Sequence, residues 1–170
     1  MDATFSHTII DSPLGELTVV AESGQVSGLF FARHWYRPAA STFGARRDDA
    51  GPFADARTQL AEYFAGSRRA FDLPLRARGT GFQQRVWALL ADIPYGATTT
   101  YGDLAREVGD VALARDVGAA VGRNPLSVLV PCHRVIGKDG RLTGYAGGLR
   151  RKRELLDLEG SVVGSVATLF

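Results

Sequence analysis

The pattern of apolar residues changes period near residue 80, and that change constrains the fold more than any other feature. Before it, Thr8-Ile9-Ile10, Leu17 to Ala21 and Val26 to Phe31 are short apolar runs. Turn residues separate them, Asp11-Ser12-Pro13-Leu14-Gly15 and Ser23-Gly24. Such runs read as antiparallel hairpins. Arg33 to Gly51 has no clear period and reads as loop. Phe53 to Phe64 carries Leu60, Tyr63 and Phe64 at helical spacing, with Gly66 as a stop. Ala70 to Leu75 is a candidate return to the sheet, and Arg76 to Thr80 a linker.

After residue 80 the period is helical. Thr80 is placed to cap a helix from about Phe82 to Leu90, with Phe82, Val86, Leu89 and Leu90 on one face. A second helix is expected from Tyr101 to about Val108, stopped by Gly109. A third is expected from Ala112 to Val121, with Leu113, Val117 and Val121 at i, i+4 and i+8. Two short helices around a glycine turn suggest a helix-turn-helix. A last helix spans Leu149 to Leu158. The small, apolar tail from Ser161 to Phe170 has no clear assignment. The expected fold is α+β: a small β-rich domain over residues 1–79 and a mainly helical domain over 80–170.

Composition excludes some functions. No stretch is long and apolar enough to span a bilayer, and the N-terminal residues do not read as a secretory signal; a cytoplasmic protein is expected. The one cysteine of the 170 residues cannot form an internal disulfide. His7, His34 and His133 show no zinc-ligand spacing, so no metal or cofactor is expected. The net charge of +2 does not announce nucleic-acid binding. From Arg123 to Arg153, however, eight basic residues face Asp139 as the single acid. A solvated face is the ordinary reading of such a run.

Cys132 follows the apolar run Leu126 to Pro131, which points to burial. A buried cysteine is usually inert. Here His133 and Arg134 follow it directly, and a base or positive charge beside a thiol favours the nucleophilic thiolate.

Pro131-Cys132-His133-Arg134-Val135 resembles the active-site motif of the O6-alkylguanine-DNA alkyltransferases. So do Phe82 to Trp87, Ile93-Pro94-Tyr95-Gly96, Thr100 to Ala105, Ala114 to Gly118, Asn124-Pro125 and Gly144 to Gly148, in order and at the family's spacing over about residues 80 to 160. Asp11 to Gly15 and Tyr63 to Gly66 resemble the stand-alone bacterial members. The resemblance implies DNA repair by direct reversal: one irreversible transfer of an alkyl group from O6-alkylguanine, and from O4-alkylthymine, to Cys132. It implies double-stranded DNA as partner, with the damaged nucleotide flipped out, and a monomer off DNA. By the same resemblance His133 takes the thiol proton through a water, Glu159 orients His133, and Asn124 orders the cysteine's turn. Tyr101 assists extrusion and protonates the leaving guanine. Arg115 is the finger that fills the gap in the stack. Gly118, Ala119 and Gly122 leave the recognition helix bare for the minor groove. Arg134, Val135, Tyr145, Ala146, Gly147 and Gly148 contact DNA or the substrate base.

Two positions depart from the family pattern. Asp116 stands where a small neutral residue is usual, and Ala146 replaces a hydroxyl residue found in some relatives. Two other functions compete with repair. One is a damage-binding module without transfer, against which Cys132 itself argues. The other is a thiol hydrolase using Cys132 and His133, which leaves the helix-turn-helix unexplained.

Overall fold

The computed structural model describes residues 4–49 and 51–160; the tail 161–170 lies outside the described residues. The N-terminal part is a four-stranded sheet. Strands β1 (Phe5–Ile10), β2 (Leu17–Glu22) and β3 (Gln25–Phe31) form an antiparallel meander, and the two-residue β4 (Ala45–Arg46) adds to β1 in parallel, giving the order β3-β2-β1-β4. Helix α1 (Phe53–Phe64) buries Phe53, Ala56, Leu60 and Tyr63 in the common core.

The stretch 33–51 is thus not wholly loop. It contains a 3₁₀ turn at Ala40–Thr42 besides β4. Two residues are too few to show an alternating pattern. The return of Ala70 to Leu75 is limited to one bridge, Val26 with Leu75, flanked by bonds from Val26 N–H to Pro74 and from Arg76 N–H back to Val26.

The C-terminal part is helical. Helix α2 (Gly81–Ala91) starts with a reciprocal capping box: Gln83 N–H donates to the Thr80 hydroxyl and Thr80 N–H to the Gln83 side chain. Helix α3 (Tyr101–Val108) is capped by Thr100. The third expected helix is broken. Asp110 caps a 3₁₀ turn over Val111–Leu113, and helix α4 runs from Ala114 to Gly122. The turn and α4 together complete the helix-turn-helix with α3. Helix α5 (Leu149–Leu158) closes the domain.

A second sheet of two rungs matters more for the site. Strand β5 (Thr99–Thr100) pairs in parallel with β6 (Val135–Ile136), Thr99 with Val135 and Thr100 with Ile136. One strand runs directly into α3, and the other leaves the turn that holds Cys132.

Candidate active site

Cys132 begins a 3₁₀ turn, Cys132–Arg134, and is buried. The approach to it is shaped by Asn124. Its side-chain amide donates to Val130 O (2.9 Å), and its side-chain oxygen accepts from Leu126 N–H (3.0 Å). One side chain thus closes the segment at both ends. Between them Val128 holds a left-handed φ of +72°, unusual for a β-branched residue and a mark of a tightly determined loop.

His133 and Arg134 both turn inward onto Glu159. His133 Nε2 lies 2.8 Å from Glu159 Oε2, and Arg134 reaches both carboxylate oxygens, Nε to Oε1 at 2.8 Å and Nη2 to Oε2 at 2.9 Å. The Tyr63 hydroxyl adds a bond to Oε2 at 2.6 Å. Burial raises the Glu159 pKa, but the bonds from His133, Arg134 and Tyr63 outweigh it and bring it down to about 2. Glu159 is therefore a carboxylate, which only accepts. Burial pushes His133 down despite the pull of Glu159, so the ring is neutral. It must then donate through Nε2, and Nδ1 becomes the bare nitrogen. Nδ1 has no hydrogen-bond partner in the protein.

Burial pushes the Cys132 thiol up; the Asn124 amide, the Lys152 charge and the Ser127 hydroxyl oppose it. Lys152 is fully buried, with Nζ on Thr143 O (2.7 Å) and Gly144 O (3.3 Å). Burial lowers its pKa to about 8, while Cys132 pulls the other way.

The other expected residues divide by position. Thr143 donates from its hydroxyl to the Tyr101 phenol (3.3 Å), which leaves the phenol's own proton free. A Cβ on Gly118 would rest 3.7 Å from the Tyr101 ring, so α4 and Tyr101 are in contact. Ala119 is exposed, and a Cβ on Gly122 would meet nothing, so that side of α4 is bare. Arg115 and Asp116 are exposed on the first turn of α4 and make no ion pair among the described residues. Tyr145, Ala146 and Gly147 are buried, and a Cβ on Gly147 would overlap the Phe31 ring. Val135 is fully buried in β6. Gly148 precedes α5 with φ +92°.

Arg134 corrects the reading from sequence. It was expected among the DNA- or substrate-contacting residues, yet its guanidinium is buried on Glu159 and on Ile93 O. A buried carboxylate needs a charge partner, and Arg134 supplies it. Lys152 leaves the supposed basic face in the same way.

Comparison with known proteins agrees with this geometry. Residues 6–77 match the ribonuclease-like domain of 6-O-methylguanine DNA methyltransferase, and residues 81–161 match its DNA-binding domain. The methylated-DNA–protein-cysteine methyltransferase of Mycobacterium tuberculosis is 47% identical over 164 residues, covering 96% of this chain and 98% of that one. The chain belongs to the methylated-DNA–protein-cysteine methyltransferase family. The constitutive methyltransferase of Bacillus subtilis is 43% identical, over 90% of this chain and 94% of its own. Among solved structures, that of the Mycobacterium tuberculosis OGT in complex with DNA superposes with a TM-score of 0.84 at 46% identity, covering 91% of this chain and 92% of that one. As a methyltransferase of this family the protein acts in DNA repair, with DNA as its partner. No helix among the described residues is long and apolar enough to cross a membrane.

For a methyltransferase of this family, three site residues escaped the sequence reading: Tyr63, Ser127 and Lys152. Tyr63 is 96 residues from Glu159. Lys152 sits in a run of arginines. Ser127 lies inside an apolar run, and a lone polar residue there was a usable signal.

Proposed function

We propose that the protein removes alkyl groups from O6 of guanine, and from O4 of thymine, in double-stranded DNA by a single irreversible transfer to Cys132. The observation that carries this reading is the placement of His133, whose Nε2 meets Glu159 Oε2 at 2.8 Å and whose Nδ1 has no protein partner in the same turn as the cysteine. That is the arrangement of a base waiting for a proton.

In the proposed reaction His133 takes the thiol proton through a bridging water, and Glu159 offsets the imidazolium charge. The sulfur attacks the alkyl carbon; the C–S bond forms as the C–O6 bond breaks, and the electron pair leaves with the purine. Tyr101, with its proton free, protonates the departing base. The product is a thioether that water does not hydrolyse, so one molecule repairs one lesion. Reaching the atom requires flipping the nucleotide out of the duplex; Arg115 fills the gap, and Gly118, Ala119 and Gly122 let α4 approach the minor groove. Val135 and Tyr145 to Gly148 enclose the base. The working domain boundary is residue 79, and the protein acts as a monomer off DNA.

Intact mass before and after incubation with O6-methylguanine DNA tests this. One methyl should appear on the tryptic peptide that contains Cys132. Cys132→Ser should lose transfer and keep DNA binding. Repeated turnover would point to a thiol hydrolase, and binding with no added mass to a damage-binding module; either would overturn the proposal.

A further inference from the structure

Only three buried side-chain polar atoms of the described residues lack a hydrogen-bond partner: His133 Nδ1, Tyr145 OH and Ser127 Oγ. All three lie around Cys132. The mechanism uses the first. The other two are hydroxyls with no role so far, and buried polar groups are seldom left unpaired.

We propose that Ser127 stabilises the nucleophile: as Cys132 loses its proton, the Ser127 hydroxyl turns onto the sulfur and donates a hydrogen bond to it. The proposal rests on the reading of Cys132 as the acceptor.

The backbone supports it. Val130 N–H bonds to Leu126 O (2.8 Å) and Leu129 N–H to Ser127 O (2.9 Å), so the chain doubles back after Ser127. Residues 127 and 132 are both buried, and the Ser127 hydroxyl is among the groups that act on the thiol. The Ser127 hydroxyl forms no hydrogen bond in the resting protein, yet it is near enough to the thiol and to the Tyr145 phenol to favour ionisation of each.

The other donors near the sulfur already have partners elsewhere, although each keeps one N–H to spare and the Asn124 amide and Lys152 already favour the thiolate. The Asn124 amide donates to Val130 O, and Lys152 Nζ to Thr143 O and Gly144 O. Alanine would fill the same space as Ser127 without an unpaired hydroxyl. A hydroxyl that finds its acceptor only when the thiol ionises favours the charged form selectively, which is what activation requires. Tyr145, kept protonated by burial, can donate to Ser127 Oγ in turn and complete a chain from Tyr145 through Ser127 to sulfur. The titratable and charged groups facing the cysteine are Lys152 from α5, Tyr145, Tyr101 and its neighbour His133, with the Glu159–Arg134 pair behind His133.

Cys132 is the only cysteine, so the thiolate absorbance left after subtracting a Cys132→Ser blank, which carries the same five tyrosines, reports on it alone. The test is a pH titration of that absorbance for the parent, Ser127→Ala and Ser127→Thr, with Cys132→Ser as the blank and circular dichroism to confirm folding. Ser127→Ala should raise the apparent thiol pKa by about one pH unit, the usual size for a hydroxyl bonded to an ion. Ser127→Thr, which keeps the hydroxyl, should stay near the parent. The pH profile for reaction with free O6-benzylguanine should move by the same amount. Coincident titrations of parent and Ser127→Ala would overturn the proposal. Equal shifts for alanine and threonine would assign the effect to packing and overturn it too. The expected shift in proteins that accept no alkyl group would leave this inference standing and remove the proposed function.

Discussion

The Tyr63 hydroxyl, carried on α1 of the sheet domain, donates a 2.6 Å hydrogen bond to Glu159 at the end of α5. The carboxylate behind the active-site histidine is therefore held in part by the other domain. Its remaining partners, His133 and Arg134, come from the cysteine turn. The N-terminal sheet part thus gives a direct hydrogen bond to the proposed relay as well as support to the core.

Tyr63→Phe keeps the ring among Phe64, Phe71 and Tyr95 and deletes only the donor. Losing a hydrogen bond to a buried carboxylate costs about 1.5–3 kcal/mol. Urea unfolding should show a loss of that size with an unchanged slope. A loss below a few tenths of a kcal/mol would show that Arg134 and His133 satisfy Glu159 without help.

Stability should fall in two stages as pH drops. His133 is buried neutral, so the unfolded chain binds its proton first, and stability declines as pH falls below about 6.5. The Glu159 pKa of about 2 lies under its ordinary 4.5. Its contribution is fully present above about 4.5 and is lost as pH falls toward 2, on the order of 3 kcal/mol. His34, pushed down to about 4 by burial and by Arg37 and Arg151, adds to the decline in the same direction. In urea midpoints measured from pH 7 to 3, Glu159→Gln should flatten the acid end and His34→Gln the middle. An acid limb of unchanged steepness in Glu159→Gln would contradict the assignment.

Much of this could be read from the sequence, and the exceptions share a cause. The cap at Thr80 and the limits of α1, α3 and α5 depend on local chemistry, which the sequence displays directly. Cys132, His133 and Asn124 stand within nine residues of one another and act through one loop. Arg134 and Lys152 were misjudged because charge in a sequence signals solvent until a buried partner is known. Those partners, Glu159 and the carbonyls of Thr143 and Gly144, depend on tertiary packing. The break before α4 was missed because Leu113, Val117 and Val121 keep a helical period through the 3₁₀ turn.

Arg115 is exposed and has no protein partner among the described residues, which suits the proposed finger role. Arg115→Ala should slow repair of O6-methylguanine in duplex DNA by at least tenfold. It should leave reaction with free O6-benzylguanine within about twofold, because only the duplex requires extrusion. Equal losses on both substrates would place Arg115 in folding or in the pocket.

Asp116 pairs with neither Arg115 nor Arg123; the Arg123 guanidinium lies 3.6 Å over the Tyr36 ring instead. Asp116 lines an open cleft of about 450 Å³ with Gln83, Arg85 and Arg123. With no ion pair to lose, two effects remain. The helix dipole favours an acid on the first turn by roughly 0.3–1 kcal/mol, and DNA phosphate repels it over about 10 Å at 0.1 M salt. Asp116→Ala should therefore lose a little stability and bind DNA a few-fold more tightly, with the larger gain at low salt. A salt titration in which the variant gains nothing at the lowest ionic strength would refute the repulsion.

The two rungs that pair Thr99–Thr100 with Val135–Ile136 also determine where this chain can change length. Tyr101 follows the ladder on one side and the cysteine turn precedes it on the other, with no residue to spare in either place. One residue inserted between Thr100 and Tyr101 would rotate α3 by about 100° about its axis. Tyr101 would swing away from Thr143, and the recognition helix would turn with it. The same insertion in the turn at Lys138–Asp139, which is exposed, would be absorbed where it was made. The proposed grip on DNA and the proposed attack on the lesion are thus set apart by a residue count, and at this ladder that count has no slack.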